Sequence, residues 1–297
     1  MKALYYEKPL RENASIREMP NPVCQSHDII IKVMSCSICH GVEADHEVPG
    51  GSGCSSYPLI PGHEFAGYVH EVGDAVTTFR VGDRVTADNT VTCGVCHYCK
   101  KGDLIHCPDK MNLGNKASGG FAEFVKVSEH KAVRLPDHVS FNEGCLSEPV
   151  ACCIHSMDQM DIRYGDDVLV MGAGPMGMIL AMLAMHSHAS RVIVCASSAA
   201  KLEKVKALGI ETVLLDRSDY SRHETELLSR YPLGFDCLFD TTGAEELVYS
   251  TPKLMKMGGK ILGYGYYRGA HSTLRFPFNE FWDKELTYYS SLSQVGD

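Results

Sequence analysis

The stretch Val168-Leu169-Val170-Met171-Gly172-Ala173-Gly174-Pro175-Met176-Gly177 decides how the rest of the chain is read. A short apolar run, as expected of a strand buried in a parallel sheet, leads directly into Gly-x-Gly-x-x-Gly. Residues 178–185 then read as a helix, apolar almost throughout. A strand, a tight turn and a helix N-terminus in this order aim backbone N–H groups at a dinucleotide pyrophosphate. Gly172 permits the turn, Gly174 lets the phosphates approach the backbone, and Gly177 lets helix and strand pack closely, with Pro175 and Met176 between them. A glycine fingerprint alone carries little; here the strand before it and the helix after it supply the context.

Working outward, residues after about 150 alternate strand and helix. Strands are expected at 192–195, 212–215, 235–239 and 260–263, and a helix at 201–208, closed by Gly209. That rhythm predicts an α/β, doubly wound parallel sheet over 151–297. Residues 1–150 read instead as short strands broken by turns: 29–33, 65–69, 81–85 and the alternating 121–127. They predict a mostly antiparallel, barrel-like domain with metal-binding loops. A fold selecting NAD usually places an acid at the end of its second strand, to bond the ribose 2′-hydroxyl. Here Ala196-Ser197-Ser198 stands there instead. Ser197 and Ser198 can donate to a 2′-phosphate, and Lys201 or Arg191 can supply charge, so NADP is predicted over NAD. The competing reading is that the serines only cap the helix beginning near Ala199.

With 297 residues the chain has room for two cores. A formal charge of −9 without a long basic run argues against nucleic acid and anionic membranes as partners. No signal core and no spanning run are evident, so a cytoplasmic protein is expected. In such a protein, thirteen cysteines point to metal more than to disulfides. Cys93, Cys96, Cys99 and Cys107 form C-x2-C-x2-C-x7-C. Four thiolates so spaced can close a tetrahedron around zinc with no position left for water, which makes a structural site. An iron–sulfur cluster is the chemical rival. Cys39, His63, Glu64 and Glu148 offer thiolate, imidazole and carboxylate, a set suited to a second, open zinc site. Each alone would be ordinary; manganese or cobalt would also accept the carboxylates.

Gly62-His63-Glu64, the four-cysteine lobe, Ser147-Glu148-Pro149 and Gly172-Ala173-Gly174-Pro175-Met176-Gly177 occur in that order. Together they make the chain resemble the zinc-dependent medium-chain dehydrogenases, closest to the polyol (sorbitol-like) and threonine dehydrogenase branch. The resemblance implies a GroES-like catalytic domain, a Rossmann nucleotide domain, one structural and one catalytic Zn2+, and NADP or NAD. It implies that Cys39, His63 and Glu64 bind the catalytic metal, and that Glu148 does so directly or through water. Hydride would pass between a secondary alcohol, with sugar alcohols leading, and the nicotinamide, in the cleft between the domains. Residues 281–291 resemble the part of the family that builds subunit interfaces, which implies a homodimer or homotetramer.

Three features depart from that pattern. Gly41 stands where many relatives carry a Ser or Thr that passes on the alcohol proton. Candidates to replace it are His40, Glu43, His46 and Tyr57, and His46 or Glu43 acting through water is the expectation; the alternative is that both are solvated loop residues. The second-strand end lacks its acid. The sequence stops at Ser293-Gln294-Val295-Gly296-Asp297, where relatives usually continue for several dozen residues: the family's C-terminal return segment is expected to be absent here, either because a tail is omitted or by natural truncation, which would remove part of the substrate cleft wall. Gly41 and that ending are the support for a rival reading, a non-catalytic dinucleotide-binding redox sensor or structural protein. His155 and the methionines of 176–185 read as packed residues, Cys152 and Cys153 as buried thiols. Gly263-Tyr264-Gly265-Tyr266 reads either as a lining of the nicotinamide pocket or as an ordinary strand end.

Overall fold

A computed structural model describes residues 1–43, 46, 56–219, 221–265 and 276–292. Tyr266 and the ending 293–297, on which expectations were placed, lie outside this set. Contacts divide the chain into two units, Met1–Pro149 and Val150–Gln294.

In the first unit, β1 (Lys2–Tyr6) and β2 (Ala14–Glu18) form an antiparallel pair. Then come β3 (Asp28–Ser37), β4 (Glu64–Val72), β5 (Arg84–Ala87), the short pair β6 (Thr90–Val91) and β7 (Met111–Asn112), β8 (Phe124–Ser128) and β9 (Ala132–Arg134). Five of them make one antiparallel sheet in the order β8-β3-β4-β5-β9. Alternate residues of these strands share a face: Ile29, Ile31, Val69, Val85, Val125 and Val127 pack with Phe65 and Phe79 in one core. Three one-turn helices, α1 (His40–Glu43), α2 (His97–Lys100) and α3 (Phe141–Gly144), punctuate the loops. The capping box of Ser140 and Glu143 starts α3. The longer α4 (Ser147–Met160) starts at the end of this unit and belongs mostly to the second, where Cys153 and Met160 enter the core.

The second unit contains β10 (Asp167–Met171), α5 (Pro175–Met185), β11 (Arg191–Ala196), α6 (Ala199–Lys206), β12 (Glu211–Leu214), α7 (Ser221–Arg230), β13 (Phe235–Asp240), α8 (Glu245–Ser250), β14 (Met255–Gly263), α9 (Phe278–Lys284) and β15 (Thr287–Ser290). Its sheet is parallel, in the order β12-β11-β10-β13-β14-β15, the doubly wound arrangement with β10 as the central first strand. The unbroken apolar run of β10 has a direct cause. Val168 and Val170 enter the core under α5, with Leu180, Ala181 and Ala184. Leu169 and Met171 enter the core on the opposite face, with Leu227 of α7. Both faces are covered, so no position is left for a polar residue.

Several boundaries differ from expectation. The strand read at 81–85 begins only at Arg84, because Gly82 takes a positive φ of 94° in a turn. The helix read at 178–185 starts at Pro175, a residue whose fixed φ suits the first helical turn. The helix read at 201–208 starts at Ala199 and ends at Lys206.

Close contacts at the turn between β10 and α5 explain its glycines. Gly172 has φ 111°, and a Cβ there would lie 2.3 Å from Thr241 Oγ1; at Gly177 it would lie 2.0 Å from the Gly172 carbonyl oxygen. At Gly174 nothing lies within 4 Å of such a Cβ, which leaves open space on that side of the turn. Gly172→Ala is therefore expected to lower stability by about 2 kcal/mol or more in denaturant unfolding. Gly174→Ala, at an extended N-cap, should cost less than about 1 kcal/mol.

Candidate functional site

The antiparallel register of β3 and β4 closes on the pairs Cys36–Phe65 and Ser37–Glu64. Cys39 lies two residues beyond the end of β3, and His63 immediately precedes β4. The pairing therefore delivers Cys39, His63 and Glu64 to one corner, where their donor atoms all fall within 4.8 Å of one another. His63 Nε2 is 3.9 Å from Glu64 Oε1. Ser37 donates its hydroxyl to Glu64 Oε2, which fixes the carboxylate. His63 and Glu64 are buried and Cys39 half-buried. A thiolate, an imidazole and a carboxylate so gathered fit a Zn2+ or a similar ion, and three ligands leave one position for exchange.

Burial controls protonation at this corner. The Cys39 thiol is pushed up to about 12 by loss of water; the Val42 N–H pulls the other way, and the carboxylates Glu64, Glu43 and Glu148 add to the rise. Burial also lowers His63 to about 4, with a further push from His46, so the ring is neutral at physiological pH, as a metal ligand must be. Glu64 is raised by burial, against the bond from Ser37.

Glu148 lies outside the 4.8 Å group. Its charge reaches Cys39, and its Oε1 is 3.5 Å from Asn89 Nδ2. The structure gives Glu43 a different setting from the proton path expected of it. Its Oε1 faces His63 Nδ1 at 3.7 Å, a contact longer than a hydrogen bond, and burial raises it to about 7. His46 is fully buried; its Nδ1 is 2.6 Å from the Tyr57 hydroxyl, and its ring lies 5.2 Å from that of Tyr6. The alternative of two solvated loop residues therefore fails for both His46 and Glu43.

Cys93, Cys96, Cys99 and Cys107 also converge within 4.8 Å, with Cys93 and Cys99 sulfurs 3.9 Å apart. Four sulfurs at about 2.3 Å from one Zn2+ would be about 3.8 Å apart, so a single ion fits, whereas an iron–sulfur cluster would interpose several atoms. Backbone N–H groups of Cys96, Cys99 and Cys93 point at the sulfurs of Cys93, Cys96 and Cys107 at 3.4, 3.4 and 3.5 Å. Such donors favour thiolate, and Cys93 is lowered to about 7 chiefly by the N–H groups of Val95 and Cys96.

In the second unit, Gly174 is the N-cap of α5, with Pro175 and Met176 in its first turn and no side chain capping the helix. Its N-terminal N–H groups are thus available to a phosphate. At the end of β11, Ala196 is buried, while Ser198 caps α6 by accepting from the Lys201 N–H. Ser197 accepts from Arg217 Nε at 2.8 Å. Arg217 was missed by sequence reasoning. It follows β12, which neighbours β11, and only the strand order reveals that adjacency. Arg191 is corrected: it opens β11 at the opposite end of the strand, bound to Asp167 and laid over Tyr231, and cannot serve a phosphate at Ser197. His155 engages Gln159 within α4, and Cys152 and Cys153 are buried, as read. Gly263 ends β14, and a Cβ there would overlap Tyr288.

A glycine turn on a parallel sheet of this order, in one chain with a Cys-His-Glu corner and a four-thiolate lobe, defines a zinc-dependent dehydrogenase. Residues 25–137 match the alcohol dehydrogenase GroES-like domain, and residues 175–295 the zinc-binding dehydrogenase family. D-arabinitol dehydrogenase 1 of Uromyces fabae is 32% identical over 99% of this chain and 83% of its own length. Sorbitol dehydrogenase of Halalkalibacterium halodurans is 32% identical over 99% and 84%. A zinc-binding dehydrogenase of Sinorhizobium meliloti, solved with NADP, aligns with a TM-score of 0.88 at 28% identity over 99% of this chain and 84% of its own. The chain belongs to the zinc-dependent medium-chain dehydrogenases, in their polyol and threonine dehydrogenase branch. No helix among the described residues is long and apolar enough to cross a membrane.

The raised Cys39 thiol leads to a measurable expectation. Zn2+ added at pH 8 to protein loaded only at the four-cysteine lobe should release about one proton from Cys39, seen as heats that depend on the buffer's ionisation enthalpy. Cys39→Ser should abolish that release.

Proposed function

We propose that the protein is a zinc-dependent oxidoreductase acting on polyols or related secondary alcohols, with NADP preferred over NAD. The observation that carries this reading is the convergence of Cys39, His63 and Glu64. A Zn2+ held there would supply a Lewis acid that favours alkoxide over alcohol. The first unit supplies that centre and the second the nucleotide. Ser37 holds Glu64 in position, and Glu43 faces His63. Gly41 offers no hydroxyl, so the alcohol proton passes to His46 and Tyr57, whose 2.6 Å contact makes a short path. Glu148 acts from a further step away, through water. Relatives named for D-arabinitol, sorbitol and threonine support a hydrophilic secondary alcohol as substrate. The four-cysteine lobe holds the structural Zn2+, and its thiolates suit a reducing, cytoplasmic setting.

The nucleotide's pyrophosphate would lie over Gly172, Gly174 and Gly177. Arg217 and Ser197 would meet a 2′-phosphate, with Lys201 adding charge and Ser198 kept as a helix cap. Exposed Phe276, Phe278, Trp282, Tyr288 and Leu292 gather around α9 and the edge strand β15, an apolar surface that supports a homodimer or homotetramer.

Initial rates with arabinitol, sorbitol, threonine and simple secondary alcohols, each with NADP and NAD, test the reading. A polyol oxidised faster with NADP is expected. No nicotinamide reduction by any alcohol in protein holding two zinc ions would leave a binding role in its place. Arg217→Ala should cut kcat/KM for NADP by about 10- to 100-fold, the loss of one charge-assisted bond or two, and leave NAD within about twofold. His46→Ala should flatten one limb of the pH–rate profile; an unaltered profile would remove His46 from the proton path.

A further inference from the structure

We propose that His27, Glu129 and His130 form a third metal site, for a borderline divalent ion such as Zn2+. Their donor atoms lie within 4.8 Å of one another, a limit that the Cys39 and four-cysteine sets also meet. They belong to neither. His27 precedes β3 and Cys39 follows it, so the ten residues of that strand separate the two positions by about 30 Å of chain at about 3.3 Å per residue.

The main chain builds this site. Asp28 pairs with Ser128 in the register of β3 and β8, and the Glu129 N–H donates to the His27 carbonyl at 3.0 Å. The turn formed by Glu129–Lys131 then holds Glu129 and His130 beside His27. Glu129 is buried although charged; its side chain is 4% exposed against 65% for His27. Its Oε2 accepts from the N–H groups of Thr77 and Thr78 at 3.2 and 3.3 Å. Its Oε1 faces His27 Nδ1 at 3.5 Å. The His27 and His130 rings stack at 6.4 Å with an angle of 27°, and a nitrogen of each lies within 4.8 Å of a Glu129 carboxylate oxygen.

Pinning the Thr77–Thr78 loop accounts for Oε2. It does not account for His27 at Oε1 with His130 beside the same carboxylate. Two nitrogens and one carboxylate oxygen are a zinc-type donor set. Ligand atoms around a tetrahedral Zn2+ at about 2.0–2.1 Å lie about 3.3 Å apart. The Glu129–His27 separation already matches, and small rotations of the two exposed rings close the rest. The carboxylate needs no movement, because two backbone donors hold it. A bound ion would tie together three segments, the start of β3, the turn after β8 and the 77–78 loop, leaving at least one coordination position to water.

The test is calorimetric titration of Zn2+, at pH 7.5, into tag-free protein already carrying its other metals. One further equivalent per chain is expected for the wild type. Affinity should fall at least about tenfold in His27→Ala and in His130→Ala, and the equivalent should vanish in the double variant. Both rings are exposed, so the variants should fold, and initial rates at fixed substrate should be unchanged. Added Zn2+ should raise the wild-type melting temperature and leave that of the double variant fixed. An identical isotherm in wild type and double variant, or no further equivalent in the wild type, overturns the proposal. The measurement uses neither nucleotide nor alcohol, so its outcome is separate from that of the dehydrogenase reading.

Discussion

The chemistry of the first unit depends on the register of a single strand pair. β3 and β4 end on Ser37 opposite Glu64, and everything at the metal corner is counted from that pair. A slip of one residue would turn Ile29 and Ile31 out of the core and move Cys39 away from His63 together. The register is held by burial: Ile29, Ile31, Phe65 and Val69 are at most 1% exposed. The irregularities between Ile30 and Ile31 and between Val33 and Ser35 bend the pair without releasing it. Packing of the strands therefore sets where Cys39, His63 and Glu64 lie.

That corner concentrates groups that would rather be solvated. Cys39, Glu43 and Glu64 are all driven toward their protonated forms by burial, and His63 toward its neutral form. The consequences for pH have opposite signs. Glu43, raised from 4.5 to about 7, binds its proton more tightly in the folded chain, so the metal-free fold loses stability as pH rises through that interval. His63, lowered from 6.5 to about 4, binds its proton less tightly in the folded chain and so adds stability as pH rises from 4 to 6.5. The two offset each other over much of the acid range. A divalent cation removes the conflict, since it favours thiolate, carboxylate and neutral imidazole at once.

Legibility in the sequence followed the distance over which residues had to cooperate. The turn at 172–177 and the lobe at 93–107 are local, so spacing alone conveys their geometry. The two-unit rhythm was equally legible, because apolar runs covered on both faces differ from alternating ones. Arg217 was not legible: it reaches Ser197 only because β12 lies beside β11, and strand order is a property of the whole sheet. Glu43 shows the other limit. A carboxylate four residues from Cys39 can point in several directions, and only the folded corner places it 3.7 Å from His63 Nδ1. Residue type alone also misplaced Arg191, at the end of β11 opposite to Ser197.

The same contrast separates the metal sets in kind. The four thiolates of the lobe come from 15 consecutive residues, with backbone N–H groups already directed at three of the sulfurs. Such a loop has few apolar residues of its own, and an ion there substitutes for a core. The Cys39 corner is the reverse case. Its candidate ligands are positioned by a packed sheet, so an ion held there would not be what keeps the strands together. A closed set belongs where the metal must hold the chain, and an open set belongs where the chain must hold the metal. A carboxylate at Glu64 would be a harder ligand than a further thiolate, as suits a centre that keeps one position for a substrate oxygen.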